Sequence, residues 1–333
     1  MTTHGTSGRC FDYTDFDYTR AAKTEPVVHM MIANKRIPAA LAALLAAVLL
    51  AAGCGRDGAS SDDAETAAAR DNVEAMSREH AEDTTDPSPA AWLVPQREVE
   101  SDPRMPYAEL GDDLVYGYFA APADVVEPLP ALILIHEWWG LNDNIRAMAD
   151  RLAGEGYMVL AVDMYGGRVA GNAAEARQLM LEVVEEPELA NENIRSAYEF
   201  LETAGAPRIG SLGWCFGGGW SLNTARLFPD DLDASVIYYG RVTDDEDALR
   251  SVNAPILGLF GAEDTGIPLA SVEAFRGALE RLRKEYEIHI YPDVGHAFAN
   301  PTGRNYDEDA ATDAWDKTLD FLARHLSVSS DAS

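Results

Sequence analysis

Short apolar runs alternate with amphipathic helical segments through most of the chain. The runs 131–137 (ALILIHE), 157–165 (YMVLAVDMY) and 208–214 (RIGSLGW) are almost continuously apolar, as strands buried on both faces of a sheet are. Segments with helical spacing, such as 145–156, lie between them. This alternation predicts a single α/β domain over 97–328, with a mainly parallel sheet and helices on both faces.

The stretch 210–219, GSLGWCFGGG, places a cysteine among glycines at the end of one predicted strand. Gly213 and Gly217 lie two residues before and two residues after Cys215. Hydrolases often carry G-x-S-x-G at a sharp turn between a strand and a helix, where it presents the nucleophile. The N-terminus of the following helix favours a thiolate over a thiol. Cys215 is therefore either a nucleophile or a buried structural cysteine, which is a common fate of a free thiol.

Two later loops carry side chains that could act together with Cys215. One predicted strand ends close to Asp264, and the next ends close to His296. Nucleophile, acid and histidine follow one another in the chain order of the α/β-hydrolase triad. This order predicts that His296 accepts the thiol proton and that Asp264 orients its ring, with Glu263 as the alternative for the second role.

Four motifs together resemble the dienelactone hydrolase family, a branch of the α/β-hydrolase fold with a cysteine nucleophile. They are LIHEWWGLND, AVDMYGG, GWCFGG and the pair GAEDTGIP and GHAFAN, and the resemblance covers nearly all of 107–326. It implies that Cys215, Asp264 and His296 form the triad. It also implies that Glu137 contacts the cysteine and helps to activate it when substrate binds. The alternative for this glutamate is an ion pair at the edge of the sheet.

Backbone N–H groups next to these side chains are the expected oxyanion hole. Trp138 follows Glu137 and Phe216 follows the nucleophile, so both N–H groups could point at the oxygen where charge develops during acyl transfer. The side chains of Trp138 and Trp139 either wall the substrate pocket or fill the core.

The resemblance departs from the family pattern where the substrate carboxylate is bound. The founding type of the family binds that carboxylate with two arginines. Asn300 stands at one of these positions, and Arg177 is a loose match for the other. Arg304 is a further candidate for the missing cation. These substitutions weaken the prediction that a dienelactone carboxylate is the substrate, although Arg177 and Asn300 remain candidate substrate contacts.

The segment 30–53 has the pattern of a bacterial export signal. Lys35 and Arg36 precede an uncharged apolar run, 37–52, which is short for a membrane span. The signal ends in LAAGC, which resembles the lipobox of bacterial lipoproteins and implies cleavage before Cys54 and lipid on its sulfur. This pattern predicts a protein of the bacterial cell envelope, anchored in a membrane and facing the periplasm or the exterior. The alternative is an uncleaved transmembrane anchor.

The segments on either side of this signal differ from it in composition. Residues 1–29 carry acidic side chains that do not suit the start of a signal, so they are interpreted as an extension before a true start at Met30 or Met31. The segment 54–96 is acidic and poor in large apolar residues. It predicts a disordered tether after the lipidated cysteine, with a frayed helix around 64–80.

The net charge of the chain limits its possible partners. The net charge of −30, from 26 basic and 56 acidic residues, disfavours nucleic acid as a partner. The sequence predicts no metal site and no cofactor, and it leaves the oligomeric state open. We therefore predict an exported, lipid-anchored hydrolase that opens a lactone or cleaves an ester through an acyl-cysteine. The alternatives are a broader carboxylesterase or thioesterase, and a catalytically idle hydrolase fold that acts as a binding module at the membrane.

Overall fold

The computed structural model describes residues 61–80, 94–111, 113–125 and 128–327. Within these residues eight strands form one sheet, in the order β1-β2-β4-β3-β5-β6-β7-β8. In chain order the strands are β1 (Val99–Leu110), β2 (Asp113–Pro122), β3 (Ala131–Ile135), β4 (Met158–Val162), β5 (Ile209–Trp214), β6 (Ala234–Tyr238), β7 (Ile256–Gly261) and β8 (Tyr286–Tyr291).

The sheet is parallel from β4 across to β8, and antiparallel pairing is confined to β1 and β2 at the other edge. Every residue of β3, β4 and β5 is buried. Strands in the middle of a parallel sheet are covered on both faces, which is why their sequences are continuously apolar. The predicted α/β fold with a mainly parallel sheet is confirmed.

Helices connect most of the parallel strands and begin at recognisable caps. They are α1 (Ser61–Glu79), α2 (Asp143–Gly154), α3 (Ala173–Glu185), α4 (Pro187–Thr203), α5 (Phe216–Leu227), α6 (Glu246–Arg250), α7 (Leu269–Arg281) and α8 (Glu308–Leu326). The side chains of Asn142, Asn172 and Asp307 accept backbone N–H groups in the first turns of α2, α3 and α8. Such caps satisfy N–H groups that have no partner within the helix.

Helix α1 lies in the segment for which the sequence predicts a disordered tether with a frayed helix around 64–80. The structure instead has a helix from Ser61 to Glu79 with one face packed against the domain. Val73 and Met76 on that face are 0% and 1% exposed. The few apolar side chains of this acidic segment recur at helical spacing, so they can be buried together although the segment as a whole is polar.

The predicted extension 1–29, the predicted signal peptide 30–53 and Cys54 lie outside the described residues. In the part of the chain that the structure does describe, no helix is long and apolar enough to cross a membrane. The predicted domain boundaries, including 97–328, stay predictions.

Candidate active site

Cys215 lies in a strained turn between β5 and α5. Its backbone has φ 57° and ψ −118°, and it is the residue directly before the first turn of α5. A positive φ is unfavourable for a residue with a side chain, by about 1–3 kcal/mol, and persists only where the surrounding structure enforces it. The side chain is 4% exposed. This is the backbone geometry of the elbow that carries the nucleophile in α/β-hydrolases.

The glycines around Cys215 allow α5 to approach the ends of the strands. A Cβ atom on Gly213 would lie 2.2 Å from the carbonyl oxygen of Gly217. A Cβ atom on Gly217 would lie 2.2 Å from the carbonyl oxygen of Ile135, at the end of β3. Both distances are far below van der Waals contact with backbone atoms, so a larger residue at either position must displace the backbone.

His296 and Asp264 are joined by a buried hydrogen bond. Asp264 follows β7, His296 follows β8, and Nδ1 of His296 lies 2.7 Å from Oδ2 of Asp264. The other oxygen, Oδ1, accepts the backbone N–H groups of Gly266 at 2.8 Å and Ile267 at 2.7 Å. Because three donors fix this carboxylate, Nδ1 of His296 carries its proton towards Asp264, and Nε2 is the ring atom left for proton exchange.

The electrostatic surroundings favour a charged His296. Burial by itself disfavours the imidazolium, but the carboxylate of Asp264 and the nearby charge of Cys215 outweigh it, so the pKa of His296 is raised well above 6.5. Among the described residues, Nε2 of His296 has no hydrogen-bond partner of standard geometry. A histidine that keeps its proton at neutral pH can stabilise a thiolate beside it.

Glu137 lies in the loop after β3 and is held by Asn300. Nδ2 of Asn300 donates to Oε2 of Glu137 at 2.7 Å, and both side chains are buried. Oδ1 of Asn300 accepts the backbone N–H of Thr302 at 2.9 Å and its hydroxyl at 2.8 Å. These contacts fix which end of the Asn300 amide faces Glu137. The sequence had suggested a substrate contact for Asn300, whereas the structure places its amide on the glutamate.

His136 is buried next to the same loop and is hydrogen-bonded to it. Its Nδ1 donates to the carbonyl oxygen of Glu137 at 2.6 Å, and its Nε2 accepts the backbone N–H of Met164 at 3.2 Å. Burial lowers the pKa of His136, so the ring is neutral and makes one donating and one accepting contact. The peptide between Glu137 and Trp138 is thereby held in place. Sequence reasoning assigned no role to this histidine.

The residues predicted to form the oxyanion hole lie beside the same side chains. Phe216 is the first residue of α5, where backbone N–H groups have no partner within the helix. Trp138 follows Glu137 and packs against Trp139 with ring centroids 4.9 Å apart. Both tryptophans are buried. The oxyanion role of the N–H groups of Trp138 and Phe216 stays a prediction.

Two cavities within the described part of the chain reach Cys215. A narrow one of about 10 Å³ is bounded by Cys215, Glu137, His296, Asn300 and both tryptophans at 138 and 139. A larger one of about 460 Å³ extends from Cys215 and Phe216 between α1, α3 and α5. The first cavity is too small to contain a substrate, so the second is the space available for one.

Neither candidate arginine borders these two cavities. Arg177, on α3, forms an ion pair with Glu74 of α1. Arg304 is exposed. The predicted contact of Arg177 with substrate therefore has no support from its position, although Arg226 and Arg241 do line the larger cavity. No sequence signal points to Arg226 or Arg241, since neither belongs to a motif.

The sheet, the elbow and the buried His296–Asp264 pair define an α/β-hydrolase with a cysteine at the elbow. Residues 115–326 match the dienelactone hydrolase family. The chain belongs to this family, and it is a hydrolase of that kind.

Relatives and solved structures agree with this assignment. The "Putative carboxymethylenebutenolidase" of Saccharolobus solfataricus is 32% identical over 247 residues, which are 63% of this chain and 94% of that protein. The crystal structure of a "Putative Dienelactone Hydrolase" from Klebsiella pneumoniae has a TM-score of 0.62 and 27% identity, and covers 68% of this chain and 100% of its own. The dienelactone hydrolase structure from Anabaena variabilis, at 20% identity and a TM-score of 0.54, covers 69% of this chain and 99% of its own, and shares the fold.

The contact between Asn300 and Glu137 leads to one prediction. We expect Asn300→Ala to lower kcat/KM for a simple ester about tenfold, because losing a hydrogen bond to a charged group costs about 1.5–3 kcal/mol and leaves Glu137 unrestrained. Steady-state kinetics with p-nitrophenyl acetate measures this. Asn253→Ala, which removes an exposed asparagine bonded to Asp230, is the matched control and should leave kcat/KM unchanged. Equal values for both variants would show that Glu137 does not need this restraint.

Proposed function

We propose that this protein hydrolyses an ester or a lactone through an acyl-cysteine on Cys215. The observation that carries the proposal is the buried hydrogen bond of 2.7 Å between His296 and Asp264, beside a cysteine held at φ 57°. A histidine oriented by a carboxylate and adjacent to a nucleophile is the arrangement that acyl transfer requires.

The reaction has two halves. The thiolate of Cys215 attacks the carbonyl carbon, and the negative charge on the carbonyl oxygen is stabilised by the N–H groups of Trp138 and Phe216. The intermediate then collapses, the C–O bond breaks, and the leaving alkoxide takes the proton from Nε2 of His296. Water next attacks the thioester and gives a proton to His296, which releases the carboxylic acid and restores the thiolate with its imidazolium partner.

Glu137 assists the first half of this reaction. It borders the same narrow cavity as Cys215 and His296, and Asn300 holds one of its oxygens. A carboxylate in this position competes with the thiolate for the imidazolium proton. Substrate bound in the larger cavity beside Cys215 would change this balance, and this is the role that we propose for Glu137 in activating Cys215.

A broader carboxylesterase or thioesterase is the second candidate function. It is favoured because neither position at which the dienelactone type binds a carboxylate offers a cation here: Arg177 is paired with Glu74, and Asn300 is an amide bonded to Glu137. The arginines that line the larger cavity, Arg226 and Arg241, lie outside those positions. Comparing kcat/KM for an acidic lactone, its methyl ester and a neutral thioester decides between the two. Strong preference for the acidic lactone would favour the dienelactone type.

The acyl-cysteine itself can be isolated. Acid quenching of the enzyme during turnover of p-nitrophenyl acetate, followed by mass spectrometry, should find an acetyl group on the peptide that contains Cys215. Turnover without this adduct under burst conditions would contradict the mechanism. Absence of turnover with every ester, lactone and thioester would favour the idle binding module.

We further propose that the protein is exported and anchored by lipid on Cys54. The support is the sequence alone, namely a basic start, an apolar run and LAAGC.

Cys54→Ser should release the protein from membranes, because the sulfur that carries the diacylglycerol is lost. Fractionation of cells expressing either form, with detection by antibody, measures this. Ser60→Ala is the control and should stay in the membrane fraction. Retention of the Cys54→Ser form would indicate an uncleaved anchor instead.

A further inference from the structure

Helix α1 lies over the candidate active site. Its buried face consists of Val73 and Met76 and continues into His80, which is 3% exposed. The ring of His80 stands edge-on to that of His296, with centroids 5.1 Å apart, and lies 5.6 Å from Trp138. His80 also borders the narrow cavity that contains Cys215. The end of α1 therefore closes one side of that cavity.

The same helix forms a wall of the larger cavity. Thr66, Ala69 and Asn72 lie one turn apart on α1 and border the space of about 460 Å³ that reaches Cys215. Met180 on α3 and Trp220 on α5 border it from the domain. A cavity of this volume is within the range of small-molecule binding sites, about 300–1,000 Å³. Without α1 this space would be an open groove.

The contacts that hold α1 differ in strength. Nδ2 of Asn72 donates to the carbonyl oxygen of Gly266 at 3.2 Å, in the loop that carries Asp264. Ion pairs join Arg70 to Glu185 and Glu74 to Arg177, but all four side chains are substantially exposed. Exposed ion pairs contribute little, so burial of the apolar face is what keeps the helix in place.

We propose that α1 is a specificity-determining wall: Thr66, Ala69 and Asn72 set the size of the substrate group that fits beside Cys215. Helix α1 precedes the residues 115–326 that match the family, so this wall is separate from the matched domain. A chain of several carbon atoms on an ester or thioester can pack against Met180 and Trp220, while Arg226 and Arg241 line the same cavity. This step rests on the proposed function.

The first test narrows the cavity in the full-length protein. Cys215 is alkylated with iodoacetamide and with an iodoacetamide that bears a hexyl chain, and mass spectrometry follows the peptide that contains Cys215. Ala69→Phe should lower the ratio of hexyl to unsubstituted alkylation rates about tenfold. Ala67→Phe makes the same substitution at an exposed position of the same helix and should leave the ratio unchanged. Equal ratios in the two variants would overturn the proposal.

The second test removes the wall. Met76→Asp places a charge on the buried face of α1 and should undock the helix, so that Cys215 reacts faster with both reagents. The ratio of hexyl to unsubstituted alkylation rates should then approach the ratio measured for the free thiol of glutathione. Ala68→Asp adds the same charge at an exposed position and is the control. If Met76→Asp changes neither rate, α1 does not wall the cavity.

Alkylation requires no turnover, so the two proposals can fail separately. If Ala69→Phe shifts the alkylation ratio but the wild-type protein hydrolyses no ester, the wall stands and the proposed function fails. If the wild-type protein hydrolyses esters but the ratio does not move, the function stands and the wall fails. If both hold, Ala69→Phe should lower kcat/KM for p-nitrophenyl octanoate about tenfold more than for the acetate.

Discussion

Cys215→Ala should abolish hydrolysis while the protein stays folded. The change removes only the sulfur, and alanine adopts the backbone conformation of Cys215 at no greater cost than cysteine does. Losing the nucleophile of a nucleophile–base unit lowers the rate by several orders of magnitude. We expect kcat for p-nitrophenyl acetate to fall at least about a thousandfold, with the melting temperature measured by circular dichroism nearly unchanged.

The matched control for this substitution is Ser211→Ala, which removes a hydroxyl buried in β5 and bonded to Ser221 at 2.8 Å. It should lower stability without abolishing turnover. Near-normal turnover by the Cys215→Ala protein would exclude the acyl-cysteine mechanism, and the hydrolysis would then require another nucleophile.

Asp264→Asn should lower activity almost as much as Cys215→Ala does. It should also change the pH dependence of the reaction at Cys215. The carboxylate of Asp264 is the largest influence that raises the pKa of His296, while burial opposes it. Without that carboxylate, burial dominates and the pKa of His296 falls, so less of the imidazolium remains at neutral pH. We expect kcat to fall by on the order of 10²–10⁴, as for loss of the orienting acid in other triads.

The rate at which iodoacetamide alkylates Cys215 reports on the charge of His296, because an imidazolium beside the sulfur favours its reaction. In the wild-type protein the rate should change little as the pH is lowered from neutral, because His296 stays protonated over that range. In Asp264→Asn it should fall steeply as the pH is lowered below neutral. Asp244→Asn, an exposed carboxylate, is the control and should leave the profile unchanged. Identical profiles for wild type and Asp264→Asn would remove Asp264 from the orienting role.

The free energy of unfolding should also depend on the protonation of His296. A histidine whose pKa is raised in the folded state stabilises that state fully below its unfolded pKa of about 6.5, and the contribution is lost as the pH rises through the raised value. The wild-type free energy of unfolding should therefore decline above pH 6.5 more than that of Asp264→Asn. Urea unfolding at several pH values above 6.5 tests this difference.

Sequence patterns predict the sheet because parallel strands must be apolar on both faces. They also predict which loops meet, since β5, β7 and β8 run in parallel and end at one edge of the sheet. The structure accordingly brings His296 and Asp264 into contact. Their catalytic roles, and that of Cys215, remain predictions.

Two features could not be predicted because they depend on packing between distant segments. The hydrogen bond from Asn300 to Glu137 joins residues 163 positions apart, and its existence depends on the orientation of two loops. The docking of α1 depends on a narrow stripe around Val73 and Met76 within an acidic segment. Average composition indicates disorder there, since it does not register that Val73 and Met76 share one helical face.

The glycines of the elbow have a practical consequence for anyone who wishes to change what this enzyme accepts. Gly213, Gly217, Gly218 and Gly240 each have backbone atoms within 2.7 Å of where a Cβ atom would be. Random mutagenesis across the nucleophile region would thus yield mostly misfolded protein. Libraries directed at Thr66 and Ala69 would sample new pocket shapes outside the sheet, because both residues line the larger cavity from α1.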